Sequence, residues 1–166
     1  MRGLAFVALA ALSLAACASS EPVSTATPIA VAAGPAPVAG YDWHFHEDGE
    51  EARIAYGLEA SDDLRLGLAC APGSGRLDLS AIAPKGSPSE IHLESGGDTE
   101  RYPAKAEPSE VNDGLFLTAS ARASDPVFLR FRRTGWMAVW TGERRDAYAA
   151  HPQNVGDIER FFAACG

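Results

Sequence analysis

The sequence predicts a mainly β domain, an antiparallel β-sandwich or a small partly closed barrel of about eight to nine strands with one short C-terminal helix. Apolar residues alternate with other residues along many short segments, most clearly at Leu64, Leu66, Leu68 and Cys70, which is typical of strands with one buried face. The chain also holds 16 Gly and 11 Pro, and these residues favour the turns that short strands require.

The strands are predicted from Tyr41 onwards, where the aromatic residues of 41–46 alternate with polar ones. The remaining strands are expected at 54–58, 64–70, 77–81, 91–93, around 102, and at 115–121, 127–133 and 136–141. The last two are predicted to form a hairpin through Thr134 and Gly135. Only the C-terminal segment has helical spacing, with apolar residues at i, i+3, i+4 and i+7: Ile158, Phe161, Phe162 and Cys165.

The N-terminal residues have the pattern of an export signal. Arg2 precedes an apolar stretch at 4–14, which ends in Leu14-Ala15-Ala16-Cys17, and this stretch is too short to span a bilayer. These four residues resemble the lipobox of bacterial lipoproteins. The resemblance implies a signal peptide at 1–16 and acylation of Cys17, while Ala18 after the cysteine favours the outer membrane facing the periplasm. An ordinary secretory signal is the alternative.

Residues 17–40 are predicted to be a tether between the lipid and the folded part. They are rich in Pro, Ala, Ser and Thr, and their only charge is Glu21, a composition that cannot build a core and favours an extended spacer. We therefore expect three parts: the signal peptide at 1–16, the lipidated cysteine and tether at 17–40, and a β-rich envelope domain at 41–166.

The two other cysteines are predicted to form a disulfide. Cys70 ends an inward-facing strand, Cys165 lies on the apolar face of the terminal helix, and an exported chain enters an oxidising compartment. Two separate buried thiols are the alternative. The segments 68–75 and 161–165 also resemble small uncharacterised bacterial envelope domains in which a late helix carries the second cysteine.

The distribution of charge argues against nucleic-acid binding and suggests a surface that could bind an anionic partner. The chain has 14 Lys and Arg against 22 Asp and Glu, which argues against a nucleic-acid partner. Residues 122–145 nevertheless contain six basic and two acidic residues. Arginines beside tryptophans could engage an envelope protein or an anionic glycolipid. The candidate patch consists of Arg130, Arg132, Arg133, Trp136 and Trp140. Arg130 and Arg132 are expected on one face of their strand; the alternative is that the arginines pair with acids of the same domain.

The best metal candidate is His44 and His46, which point the same way on a strand and could chelate one ion. A zinc site requires at least three protein ligands, and the other histidines are distant in sequence. No nucleophile elbow or phosphate loop is present, so neither a catalytic residue nor a cofactor is predicted.

The sequence therefore predicts a lipid-anchored, non-enzymatic binding or structural module of the cell envelope, with the membrane as its first partner. Two alternatives stay open. One is an inhibitor of, or accessory to, a cell-wall enzyme, and the other is a periplasmic metal-binding protein using His44 and His46.

Overall fold

The computed structural model describes residues 34–166, and strands dominate this part of the chain. Ten strands and two helices occur there in the following order: β1 (Tyr41–Glu47), β2 (Ala52–Leu58), β3 (Leu64–Cys70), β4 (Arg76–Ala83), β5 (Glu90–Ser95), β6 (Asp98–Pro103), β7 (Lys105–Pro108), β8 (Leu115–Arg122), α1 (Pro126–Thr134), β9 (Trp136–Thr141), β10 (Arg144–Ala149) and α2 (Val155–Cys165).

The strands form two antiparallel sheets, which confirms the predicted sandwich-like fold. The first sheet has the order β1-β2-β3-β4-β8-β7, and the second has the order β10-β9-β5-β6. Strands β1 and β10 contact each other at one side, and β8 contacts β5 and β6 at the other. Within residues 34–166 the two sheets do not close into a barrel.

The core lies between the sheets and follows the alternation in the sequence. Leu66 and Leu68 of β3 face Ala81 and Leu79 of β4 in register, and all four are buried. Burial of a leucine side chain contributes about 1.5–3 kcal/mol relative to exposure. This inward row of apolar residues explains why the strands around 64–70 and 77–81 could be predicted.

The predicted strand at 127–133 is wrong, because these residues form α1. Val127, Phe128 and Phe131 are buried on one side of the helix, whereas Leu129 is 49% exposed. Pro126 lies in the first turn, where its missing N–H costs nothing. Gly135 ends the helix with φ of 72° and donates its N–H to the carbonyl of Phe131 at 2.8 Å, a left-handed cap that glycine favours.

Two strands were missed by the prediction. All four residues of β7 are exposed at the edge of the first sheet, so they carry no alternating apolar row. Strand β10 begins with the charged residues Arg144, Arg145 and Asp146 and pairs with β9. It is β10, rather than residues 127–133, that forms the hairpin with β9.

The helices occupy the end of the sandwich where β1 and β3 finish, which we call the closed end. Phe131 of α1 packs on Trp43 at 4.7 Å between ring centroids, and Phe162 of α2 packs on Phe131 at 6.2 Å. The predicted short C-terminal helix is confirmed as α2. The predicted disulfide is also confirmed: Cys165 is bonded to Cys70, and it fixes α2 to the end of β3.

The signal peptide, the lipobox and most of the tether lie outside the described residues. Gly34, the first described residue, lies against the indole ring of Trp136. A Cβ added at Gly34 would be only 2.8 Å from Cδ1 of that ring. The carbonyl of Val38 lies 3.1 Å from Nε2 of His151. In the part of the chain that is described, no helix combines the length and the apolar character needed to cross a membrane.

Candidate ligand cleft

A cleft of about 690 Å³ opens at the end of the sandwich opposite the helices. Its walls come from the starts of β1 and β3, the ends of β2, β4 and β9, most of β10 and the loops that follow β4 and precede β8, so both sheets contribute. We call it the tyrosine cleft. The polar and aromatic residues that line it are Tyr41, Tyr56, Arg65, Lys85, Asn112, Asp113, Thr141, Arg144, Arg145, Asp146 and Tyr148.

Three tyrosines form a continuous stack in this cleft. The ring of Tyr56 lies between those of Tyr41 and Tyr148, with centroid distances of 5.9 and 4.6 Å. Beneath the stack, Trp43 packs on Tyr56 at 5.5 Å and donates its Nε1–H to the carbonyl of Tyr148 at 3.2 Å. Trp43 thereby ties β1 to β10, and the stack is continuous with the apolar core, of which Tyr56 is a member.

The hydroxyl groups of the stack differ in their partners. Tyr41 donates its hydroxyl hydrogen to Asp63. Tyr56 is 2% exposed, and its buried hydroxyl has no hydrogen-bond partner among the described residues. Burial raises the pKa of Tyr56, and burial together with the Asp146 carboxylate raises the pKa of Tyr148 to about 12. Both phenols are therefore protonated at neutral pH and able to donate a hydrogen bond.

The arginines of the cleft are held in ion pairs. Arg65 pairs with Asp63 at 2.9 Å and Arg144 pairs with Asp146 at 2.9 Å. Arg145 also borders the cleft, but its guanidinium pairs with Glu94 at 2.8 Å on the outer face of the second sheet. Each guanidinium uses a planar fork of donors for its carboxylate and retains further N–H groups. The cleft therefore offers many hydrogen-bonding groups with little excess charge.

The predicted arginine patch is not assembled as expected. Arg130 and Arg132 lie on a helix, where positions two apart point about 200° from each other, so the prediction that they share a face is wrong. Arg130, whose side chain is 15% exposed, donates to the carbonyl of Ser95 at 2.7 Å. Arg132 pairs with Glu159 of α2 at 2.9 Å.

The other three residues of the patch lie apart from Arg130 and Arg132. Arg133 is exposed and has no ion pair within residues 34–166. Trp136 and Trp140 share the outer face of β9, where the guanidinium of Arg145 lies 5.3 Å from the ring centroid of Trp136. The structure therefore brings the two tryptophans to Arg145.

Glu94 organises that outer face. It accepts hydrogen bonds from Nε1 of Trp140 at 2.7 Å and from Arg145 at 2.8 and 2.9 Å. The bond from Arg145 is the main cause that lowers the pKa of Glu94. Beside this network, the ring of His92 stacks on Trp140 at 6.0 Å.

His44 and His46 lie on the outward face of β1, opposite Ala55 and Arg53 of β2. Nε2 of His44 is buried without a hydrogen-bond partner in the described part of the chain. Over residues 34–166, no group of three or more His, Cys, Asp or Glu side chains is placed to hold a metal ion. The two histidines therefore have no third ligand there, and metal binding stays a prediction.

Sequence reasoning did not find the tyrosine cleft. Its tyrosines and arginines come from strand ends that are far apart in sequence, so no spacing connects them. The one available signal was that Tyr41 and Tyr56 occupy inward positions at strand ends. No protein-family model, curated protein or solved structure matches this chain.

Proposed function

We propose that this protein is a non-enzymatic binding module, held at the cell envelope by a lipid on Cys17, that takes its ligand in the tyrosine cleft. The observation that carries the proposal is the cleft itself, about 690 Å³ in volume and lined by a tyrosine stack and by Arg65 and Arg144. Ligand sites are commonly concave, with aromatic walls and a few oriented polar groups.

The chemistry of the lining supports binding over catalysis. The described residues that line the cleft include no histidine and no cysteine. The phenol of Tyr148 has a pKa of about 12, far from the neutral value that suits a general acid or base. The carboxylate of Asp146 is engaged by Arg144. These side chains can therefore orient a ligand but are poorly suited to move protons at neutral pH.

The cleft can be tested by a ligand-observed NMR fragment screen on the full chain in detergent. Fragments that bind should lose affinity by at least about tenfold in Arg144→Gln, because a hydrogen bond to a charged group contributes about 1.5–3 kcal/mol and 1.4 kcal/mol is tenfold in affinity. Arg76→Gln is the matched control, since Arg76 is an exposed strand arginine at the closed end. Fragments that bind both variants equally well would place the site elsewhere.

The anchor requires a separate test by labelling with radioactive palmitate in a Gram-negative host. The wild-type chain should incorporate label and sediment with membranes, because two or more acyl chains hold a protein stably to a bilayer. Cys17→Ala should lose the label, whereas Ser19→Ala should keep it. Equal labelling of wild type and Cys17→Ala would overturn the lipid anchor.

A further inference from the structure

We infer that the ligand of the tyrosine cleft is a neutral oligosaccharide, an inference that rests on the proposed function. Three features support it: paired charges, aromatic rings at the surface of the cleft, and a buried hydroxyl without a partner. The paired charges disfavour an anionic ligand, the rings disfavour a purely polar one, and together with the hydroxyl they fit a molecule with many hydroxyl groups and no charge.

The charges argue against an anionic ligand. Arg65 and Arg144 each have a carboxylate within 2.9 Å, so an anion that enters the cleft would meet that carboxylate as well as the guanidinium. Of the remaining charged residues in the lining, Lys85 and Asp113 have opposite signs. The whole chain carries a formal net charge of −8, which adds a long-range repulsion of anions.

The aromatic rings argue against a purely polar ligand. Tyr41 and Tyr148 are the outer members of the stack and are partly exposed, while Tyr56 is buried between them. A tyrosine ring combines an apolar face with a polar hydroxyl. A sugar ring has the matching character, because one of its faces carries C–H groups and its rim carries hydroxyls.

The polar groups of the cleft suit hydroxyls that both donate and accept. The arginines offer N–H donors, Asp146 offers acceptor oxygens, and the amide of Asn112 offers both. Tyr56 adds a buried hydroxyl without a partner among the described residues. A buried polar group left unpaired is costly. This hydroxyl is covered in the structure, so a ligand hydroxyl pairs with it by displacing an outer tyrosine ring of the stack, and the new hydrogen bond favours binding.

The test is an isothermal titration of the full chain in detergent with four probes of similar length. Three are neutral (triacetylchitotriose, maltotriose and cellotriose), and the fourth is trigalacturonate, which is anionic. We expect at least one neutral trisaccharide to bind, with affinity about tenfold weaker in Arg144→Gln and unchanged in Arg76→Gln. Tyr56→Phe keeps the ring and removes the hydroxyl, and it should also weaken binding without loss of folding.

The outcomes separate this inference from the proposed function. If only trigalacturonate binds, and Arg144→Gln weakens it, the cleft is a binding site but the neutral-sugar inference is wrong. If a neutral sugar binds and neither Arg144→Gln nor Tyr56→Phe weakens it, the sugar binds elsewhere and the inference is wrong. If none of the four probes binds, the inference is overturned, and the fragment screen then decides whether the cleft binds anything.

Discussion

Removal of the disulfide should destabilise the domain by an amount that follows from the length of the loop. Cys70 and Cys165 are separated by 95 residues and are almost fully buried. In the chain-entropy treatment, a cross-link that closes a loop of this length stabilises the fold by about 4.7 kcal/mol, mainly by restricting the unfolded chain. Total stabilities of domains are about 5–15 kcal/mol, so the loss would be a large fraction.

The perturbation is the double variant Cys70→Ala with Cys165→Ala, measured by urea unfolding of the full chain in detergent through tryptophan fluorescence. Cys17→Ala is the matched control, because it removes a cysteine outside the disulfide, and it should leave the unfolding free energy unchanged. Wild-type protein in reductant should behave like the double variant. A loss below about 1 kcal/mol would contradict this expectation, since it would mean that the cross-link does little to restrict the unfolded chain.

Three further predictions concern stability and use the same urea unfolding. Arg130→Met should cost about 1.5–3 kcal/mol because it removes a largely buried charged donor that bonds to the carbonyl of Ser95. Arg133→Met, on the exposed side of α1, should change stability by less than about 0.5 kcal/mol, and equal effects of the two variants would contradict the described helix. Gly135→Ala should lower the free energy of unfolding by about 1 kcal/mol, because the φ of 72° at this position disfavours a side chain. An unchanged midpoint of urea unfolding would argue against this helix cap. Arg145 lowers the pKa of Glu94 in the folded protein. This pair should therefore stabilise the fold above the ordinary pKa of a carboxyl group, and the contribution should be lost as the pH falls through the lowered pKa of folded Glu94. Glu94→Gln should flatten the fall in unfolding free energy at acid pH, and an unaltered pH profile would contradict the ion pair.

The strands that could be predicted are those with one buried face. Leu66 and Leu68 face the core while Gly67 between them faces outward, so the alternation in the sequence directly reports the pleat. Strand β10 could not be found this way, because Arg144 and Arg145 open it and its pairing with β9 depends on the turn at Gly142.

The sequence of α1 fits the two-residue period of a strand as well as the 3.6-residue period of a helix, which is why a strand was predicted there. Leu129 and Phe131 alternate with arginines as in a strand, yet Val127, Phe128 and Phe131 also share one helical face. The position of Pro126 before the apolar run was the signal that favoured a helix. The error mattered for function, since it placed Arg130 and Arg132 on one surface when they lie on different sides of α1.

The tyrosine cleft depends on tertiary structure in a way that local pattern does not reveal. Tyr56 and Tyr148 are in different sheets, and their rings meet only because β1 and β10 lie side by side. The sequence could identify each as a strand residue. Their common site requires the topology of both sheets.

The ligand site is tested most directly by a crystal structure of the full chain soaked with the neutral trisaccharide that binds most tightly. Sugar density is expected in the tyrosine cleft, against Tyr148 and within hydrogen-bond distance of Arg144. Density on the outer face of the second sheet, between Trp136 and Trp140, with the cleft empty, would contradict it.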